Sequence, residues 1–205
     1  MTETGRAVGQ AGQRRMATYR EFRMRAFRVP RKQALAYAAA VLALAVSQAY
    51  LLPKVLHAGD GLDFRLIWLA GQLWNDGISP YSNQFLAAYH SAFGDGPISH
   101  FWVYPPYWAV IAGPMSLLSF ENALTAWNLV NYLLLLLSSG IIATLLPARA
   151  APLSRGLWFI RALCILSLAQ ATPFSIALGQ TSMLILAGCA CLLAGLPPEK
   201  WSSLK

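Results

Sequence analysis

One acidic residue with an aromatic and a basic neighbour has clear chemical potential in this sequence. Asp63 is followed directly by Phe64 and Arg65. A carboxylate can accept the proton of a substrate hydroxyl while that hydroxyl attacks a donor carbon, and an arginine can hold a phosphate by paired hydrogen bonds. The simpler interpretation is that Asp63 caps the helix predicted to follow it. The two roles are compatible, because a capping carboxylate keeps one oxygen free.

A proline-rich aromatic motif, Tyr104-Pro105-Pro106-Tyr107, lies at the start of a later apolar run. The two prolines favour an extended backbone and prevent a helix from extending outward. The motif can present Tyr104 and the nearby His100 to a ligand. Taken alone, it is more typical of a turn where the chain enters the membrane, and a single histidine there more often makes a structural hydrogen bond.

Polar residues also interrupt the apolar runs further along the chain. Gly179 permits close backbone approach and Gln180 offers hydrogen-bond donors and an acceptor, although a plain turn explains both residues. Asn128 and Asn131 share one helix face and are expected to bond a neighbouring helix rather than a substrate. Arg161, inside another run, can extend its side chain to the membrane surface.

Several kinds of site have no signature in the sequence. It has no phosphate-binding glycine loop and no serine nucleophile elbow, and its histidines, at positions 57, 90 and 100, do not follow a zinc-binding spacing. The three cysteines, at positions 164, 189 and 191, lie in apolar runs and imply no disulfide framework. We therefore expect neither a metal nor a cofactor.

The composition indicates an integral membrane protein. Hydrophobic residues make up 57% of the chain and charged residues 12%, whereas soluble domains have about 25% charged residues. Nine of the 16 lysines and arginines lie in residues 1–32, so the net charge of +8 belongs mostly to a basic N-terminal segment. This distribution excludes an ordinary soluble domain and a disordered chain, and it argues against nucleic acid as a partner.

The apolar runs predict an all-α, polytopic membrane protein with four or five transmembrane helices. Residues 1–33 form a basic cytoplasmic tail, either with an amphipathic helix over Met16–Val29 or simply solvated. Ala34–Leu52 is a signal anchor whose positive flank stays inside. Residues 34–196 form the membrane domain, and 197–205 a polar C-terminal tail. The later candidate spans are Phe101–Phe120, Asn122–Leu146, Leu157–Leu178 and Thr181–Leu196.

The run Phe101–Phe120 decides between two topologies. If it crosses the membrane, the loop with Arg149 and Arg155 falls outside, against the preference of positive residues for the inside. If it is re-entrant or shallow, that loop lies inside. Prolines at positions 105, 106 and 114 favour the second arrangement slightly, provided that protein or a water-filled cavity covers the freed backbone.

Residues 53–106 form a large first outer loop. Its apolar content predicts a folded binding element with short interfacial helices rather than slack chain. Asp63–Trp74 has helical apolar spacing and is expected to end near Gly77, before a turn at residues 79–81.

A series of short motifs follows the N-terminal anchor in a specific order: Asp63-Phe64, Ala70-Gly71, Gly77, Pro80-Tyr81, Tyr104-Pro105-Pro106, Pro114, Ala126-Trp127, Asn131 and Gly179-Gln180. From about residue 34 to 196, the series resembles glycosyltransferase family 87, whose members are membrane-embedded GT-C enzymes. The resemblance implies a GT-C-like fold with Asp63 as the general base and without a bound metal. We predict that the substrate-binding residues are Arg65, Tyr81, His100, Tyr104 and Gln180.

The resemblance also implies a reaction and a place for it. A hexose such as mannose passes from a polyprenyl-phosphate donor to a lipid or glycan hydroxyl on the outer face of a bacterial inner membrane. Inversion at the sugar carbon follows from one direct displacement, and no nucleotide sugar takes part. Family members are typically about twice as long, so we expect this chain to match their N-terminal half, either as a truncated or frameshifted product or as one part of a split enzyme with a separate C-terminal half.

Two other functional classes stay open. The chain can be a non-catalytic membrane protein that binds lipid-linked sugars or assembles with an enzyme, or a small transporter or channel subunit. A transporter is expected to carry polar or charged residues near the middle of several spans. Here the charge is gathered in one outer loop, which favours chemistry at the membrane surface.

Overall fold

The computed structural model describes residues 31–56, 60–94, 102–145 and 152–195. Every regular element in these ranges is helical, which confirms the predicted all-α class. The α-helices are α1 (Arg31–Leu56), α2 (Leu62–Asn75), α3 (Gln84–Phe93), α4 (Ala109–Ser116), α5 (Phe120–Leu145), α6 (Pro152–Leu168), α7 (Ala171–Leu178) and α8 (Ser182–Gly195), with a 3-10 turn at Pro106–Trp108. The predicted helix over Met16–Val29, the side chain of His100 and the tail 197–205 lie outside the described residues.

The chain divides into two compact units, Met1–Val41 and Leu42–Lys205. The described residues of the first unit, 31–41, are helical. The described residues of the second unit begin at Leu42 and contain the helices from α2 to α8.

Two helical segments are long and apolar enough to cross a membrane, Ala34–Leu56 within α1 and Phe120–Leu145 in α5. The helices α6 and α7 pass the same test only as a pair, and they are bent by 62° at their junction, as in a broken span or a re-entrant loop. The described residues therefore contain two or three candidate spans, and the chain is a membrane-associated protein. The predicted total of four or five spans stays a prediction.

The run Phe101–Phe120 does not form a spanning helix in its described part. It contains the 3-10 turn and the eight-residue α4, and residues 117–119 separate α4 from α5. Eight helical residues extend about 12 Å, whereas the hydrocarbon core is about 30 Å thick. The described part of this run therefore forms no single helix long enough to cross the membrane, and the choice between the two topologies stays a prediction.

The helix α2 confirms the helix predicted over Asp63–Trp74, and it packs closely against α4. A Cβ added to Gly71 on α2 would overlap the backbone carbonyl oxygen of Ala112 on α4, so the two backbones touch at this crossing. At the end of α2, Asn75 Nδ2 donates hydrogen bonds to Gly113 O, at 3.2 Å, and to Ser116 Oγ, at 2.9 Å. These contacts fix the C-terminal half of α2 against α4.

The helix α5 packs along both α6 and α8. A polar link joins this group to α1: Tyr132 Oη donates to Gln48 Oε1 at 2.7 Å, and Gln48 Nε2 donates to Ser167 Oγ at 3.2 Å. Asn128 and Asn131 share a buried face of α5, but within the described residues neither amide has a hydrogen-bond partner. The bond that we expected from them to a neighbouring helix is therefore absent from this part of the chain, and Gln48 makes such a bond instead.

Candidate active site

The carboxylate of Asp63 lies in the first turn of α2 and is not used in capping the helix. The capping position is occupied by Gly61, whose φ of 56° places it in the left-handed region, and no side chain caps the helix there. The capping interpretation of Asp63 is therefore wrong. The residue is partly buried, and within the described residues its carboxylate accepts no hydrogen bond. Neither oxygen is therefore engaged by the part of the chain that the structure describes, and the helix N-terminus favours their negative charge.

The Gly179 turn packs directly against this first turn of α2. Gly61 N donates to Ala177 O at 3.2 Å. A Cβ added to Gly179, whose φ is 70°, would lie 2.5 Å from the Cβ of Phe64. Trp127 Nε1 on α5 donates to Gly179 O at 2.9 Å. The close approach that we predicted for this glycine is confirmed, and it brings the Gly179-Gln180 turn beside the neighbour of Asp63.

A row of aromatic rings connects α2 to the 102–108 segment. The ring of Phe64 stacks on Trp127 with centroids 5.8 Å apart. Trp127 contacts Trp108 at 6.3 Å, and Trp108 contacts Tyr104 at 5.3 Å. We call these four side chains the aromatic wall. They join three segments that are distant in the sequence. Phe64 and Trp127 are buried in the core, whereas Tyr104 and Trp108 are only partly buried, so these two rings are the members of the wall that can face the apolar side of a ligand.

Tyr104 lies within electrostatic reach of Asp63. Burial raises the pKa of Tyr104 above its ordinary value, and the negative charge of Asp63 raises this pKa further. The backbone of Tyr104 is fixed by Tyr81, whose phenol hydroxyl donates a hydrogen bond to Tyr104 O. Tyr81 itself is exposed. The structure thus places Tyr81 against the backbone of Tyr104, and Tyr104 within electrostatic reach of Asp63; a substrate site made of these residues stays a prediction.

The side chain of Gln180 is oriented by two hydroxyls. Its Oε1 accepts hydrogen bonds from Ser175 Oγ, at 3.1 Å, and Ser182 Oγ, at 3.4 Å. Within the described residues its Nε2 donates no hydrogen bond. Within the described part of the chain, the side-chain nitrogen Nε2 of Gln180 is therefore left for a ligand oxygen, whereas its backbone nitrogen donates to Ser175 O.

Arg65 is placed apart from the other predicted residues. Its Nε donates to Asp60 O at 3.0 Å, and its guanidinium carbon lies 5.1 Å from the ring centroid of Phe93. Two residues along a helix correspond to a rotation of about 200°, so Arg65 and Asp63 lie on different sides of α2. The geometry does not bring Arg65 beside Asp63, and its predicted role with phosphate stays a prediction.

Two contributors to the site were missed in the sequence. The helix α3 packs its buried residues Phe85 and Tyr89 into the core that also contains Phe64. Their spacing of four, with a further aromatic at Phe93, was the signal for this helix. Trp127 was noted only as part of a motif, although a tryptophan within an apolar run that also carries asparagines indicates a packed face rather than a lipid-facing one.

The phenol of Tyr104 gives a prediction about pH. In the folded chain we expect its pKa to lie above 10, because burial and the charge of Asp63 both disfavour the phenolate. The corresponding stability is present below pH 10 and is lost as the pH rises through the raised pKa. Ultraviolet titration of the wild type against Tyr104→Phe isolates this phenol, and Asp63→Asn should lower its pKa part of the way back. An unchanged pKa in Asp63→Asn would show that the two groups do not interact.

Gly179 and Gly77 form a matched pair for testing the packing of the turn. Both have positive φ, 70° and 73°, but a Cβ on Gly77 meets nothing within 4 Å. Alanine at either position costs about 1–2 kcal/mol for the left-handed backbone, and at Gly179 it adds an overlap with Phe64 worth about 1–3 kcal/mol. Thermal unfolding in detergent should show Gly179→Ala as the less stable variant. Equal losses of stability in the two variants would show that the Gly179 turn is not closely packed against α2.

Residues 102–204 match the family model of glycosyltransferase family 87. The matched part covers about half of the chain and includes Tyr104, Trp127 and the Gly179-Gln180 turn, while Asp63 precedes it. A search of curated proteins and a search of solved structures each gave no match.

Proposed function

This chain belongs to glycosyltransferase family 87, and on that premise we propose that it transfers a hexose from a polyprenyl-phosphate donor to a lipid or glycan hydroxyl. The observation that carries the proposal is the position of the Asp63 carboxylate. It is partly buried and accepts no hydrogen bond in the described residues, and it lies near Tyr104 and the Gly179-Gln180 turn. A glycosyl transfer needs one such unengaged base next to the acceptor hydroxyl.

The proposed reaction is a single displacement at the anomeric carbon. The acceptor oxygen forms a bond to this carbon while the bond between the carbon and the phosphate oxygen of the donor breaks. Asp63 takes the proton of the acceptor hydroxyl, and polyprenyl phosphate leaves with the electron pair of the broken bond. The configuration at the sugar carbon is inverted, and no metal takes part in the step.

The remaining predicted residues take binding roles in this proposal. Tyr104 and Trp108, the partly buried members of the aromatic wall, face the apolar side of the sugar, and Gln180 Nε2 donates to a sugar or phosphate oxygen. Tyr81 holds the backbone of Tyr104 through its hydrogen bond. Arg65, which lies on a different side of α2 from Asp63, and His100 are also proposed to bind substrate.

The membrane arrangement is proposed to follow the positive-inside rule. The N-terminal basic tail lies in the cytoplasm of a bacterial cell and the chain resides in the inner membrane, so that α2 and its carboxylate lie at the outer face. The α6–α7 pair and α8 complete a set of four spans with α1 and α5.

A comparison of donor classes tests the proposed function. Membranes from cells that express the full chain are supplied with polyprenyl-phosphate mannose or with a nucleotide-linked mannose, each labelled in the sugar. We expect labelled lipid or glycan product from the polyprenyl donor alone, above membranes that lack the chain. Binding of the donor without transfer would support instead a non-catalytic protein that holds lipid-linked sugars.

A further inference from the structure

A groove of about 190 Å³ lies between α5 and α6, and none of the residues of the candidate active site lines it. The lining residues are Ile142, Trp158, Arg161, Ala162, Ile165 and Leu166. The surface of the groove is almost entirely apolar, and the guanidinium of Arg161 lies over the ring of Trp158 rather than in the groove itself. A groove of this kind can accept a segment of hydrocarbon chain, and the guanidinium beside it can recognise what is attached to that chain.

The positive charge of Arg161 has no counter-ion in this part of the chain. Its guanidinium carbon lies 5.2 Å from the ring centroid of Trp158, and in the described residues it makes no ion pair. Residues 122–198 contain three arginines and no aspartate or glutamate. Arg161 also lies within the bent pair Arg155–Leu178 that is apolar enough for a membrane span. An ionisable side chain within a membrane span is expected to pair with an oppositely charged or polar group.

We propose that this groove binds a phospholipid with a net negative headgroup, whose phosphate pairs with Arg161. A guanidinium recognises phosphate through two parallel hydrogen bonds. The apolar lining receives the upper part of an acyl chain, and the ring of Trp158 lies at the level where headgroup and chain meet. A zwitterionic lipid binds less well, because its own ammonium group competes for the phosphate. The site is separate from the proposed sugar transfer and does not depend on it.

Snorkelling of Arg161 to the headgroup layer is the simpler account of an arginine in this position. It predicts attraction to any anionic surface that fades at high salt, where the screening length is about 3 Å in 1 M salt. A phosphate held in the groove by direct hydrogen bonds is screened much less. High salt therefore separates a bound lipid from a diffuse attraction.

Arg155 provides the matched control, since it is an exposed arginine on the same helix that does not line the groove. The full chain is placed in vesicles of phosphatidylcholine in 1 M salt with a trace of spin-labelled phosphatidylglycerol or spin-labelled phosphatidylcholine. We expect the wild type and Arg155→Gln to prefer phosphatidylglycerol. Arg161→Gln should reduce this preference about tenfold, as expected for the loss of one charge-assisted hydrogen bond.

A second variant keeps the charge and removes the space. Ala162→Phe fills the groove next to an intact Arg161, and we expect it to reduce the preference for phosphatidylglycerol as well; circular dichroism checks that each variant keeps its helix content. Equal retention of both lipids by the wild type would overturn the proposal, as would an equal effect of Arg155→Gln and Arg161→Gln. Displacement of phosphatidylglycerol by an equal amount of polyprenyl phosphate would assign the groove to the donor chain instead. A protein partner crosslinked at Ala162 in native membranes, without lipid preference, would assign it to a helix contact.

Discussion

Asp63→Asn should lower the rate of sugar transfer by about two to four orders of magnitude, the contribution of a general base to such a step. Asparagine keeps the shape of the side chain and its hydrogen-bonding size, but it cannot accept the proton of the acceptor hydroxyl at neutral pH. The structure makes this a clean substitution, because within the described residues the carboxylate has no hydrogen bond to lose. Binding of the polyprenyl-phosphate donor should remain close to that of the wild type.

Asp60→Asn is the matched control for this substitution. Asp60 is an exposed acid three residues earlier, and its contact with Arg65 is made by its backbone oxygen, which the change preserves. We expect transfer by Asp60→Asn to stay within about twofold of the wild type, as for other surface changes. Full transfer by Asp63→Asn would remove Asp63 from the role of base. Equal losses in both variants would attribute the effect to the total charge of the segment.

Gly71→Ala should destabilise the α2–α4 pair by about 3 kcal/mol or more. The added methyl group overlaps the backbone carbonyl oxygen of Ala112, and a Cβ at this position would also lie 2.9 Å from the Cβ of Ser116. A backbone oxygen in a helix cannot rotate away, so the two helices must separate, and overpacking of this kind costs about 1–3 kcal/mol or occasionally more. Because α2 carries Asp63 in its first turn, transfer activity should fall together with stability.

Gly140→Ala serves as the control, since this glycine also lies in a helix and a Cβ on it meets nothing within 4 Å. Removal of a helical glycine there should be neutral or stabilise the chain by about 0.5–1 kcal/mol. Thermal unfolding of the two variants in the same detergent measures the difference. A Gly71→Ala variant as stable as Gly140→Ala would show that α2 and α4 do not cross at backbone contact.

The elements that depend on local pattern were predictable, and those that depend on tertiary contact were not. The apolar spacing of residues 63–74 predicted α2, and the uncharged runs predicted the helices that became α1 and α5. The run Leu157–Leu178 was predicted as one helix, but it bends by 62° between α6 and α7. Pro173 was the available signal, because proline removes a helical hydrogen bond and bends or ends a helix.

The candidate site shows the same division. The types of Asp63, Tyr104 and Gln180 indicated their chemistry, but their proximity rests on contacts across long stretches of sequence, such as that of Phe64 with Gly179. The capping role failed because Gly61 adopts the left-handed backbone that a glycine alone takes easily, and so α2 begins one residue before Asp63. The position of Arg65 was not predictable, because Arg65 lies against Phe93 on α3, a helix whose bounds were not predicted.

The most direct test of the proposed displacement is the anomeric configuration of its product. Membranes that contain the full chain are given a polyprenyl-phosphate mannose of known configuration, and nuclear magnetic resonance of the labelled sugar carbon reports the configuration of the product. A single displacement with Asp63 as base predicts a product of inverted configuration, formed by the wild type and at least about a hundredfold more slowly by Asp63→Asn. A product of retained configuration, or a donor that is bound and never transferred, would contradict it.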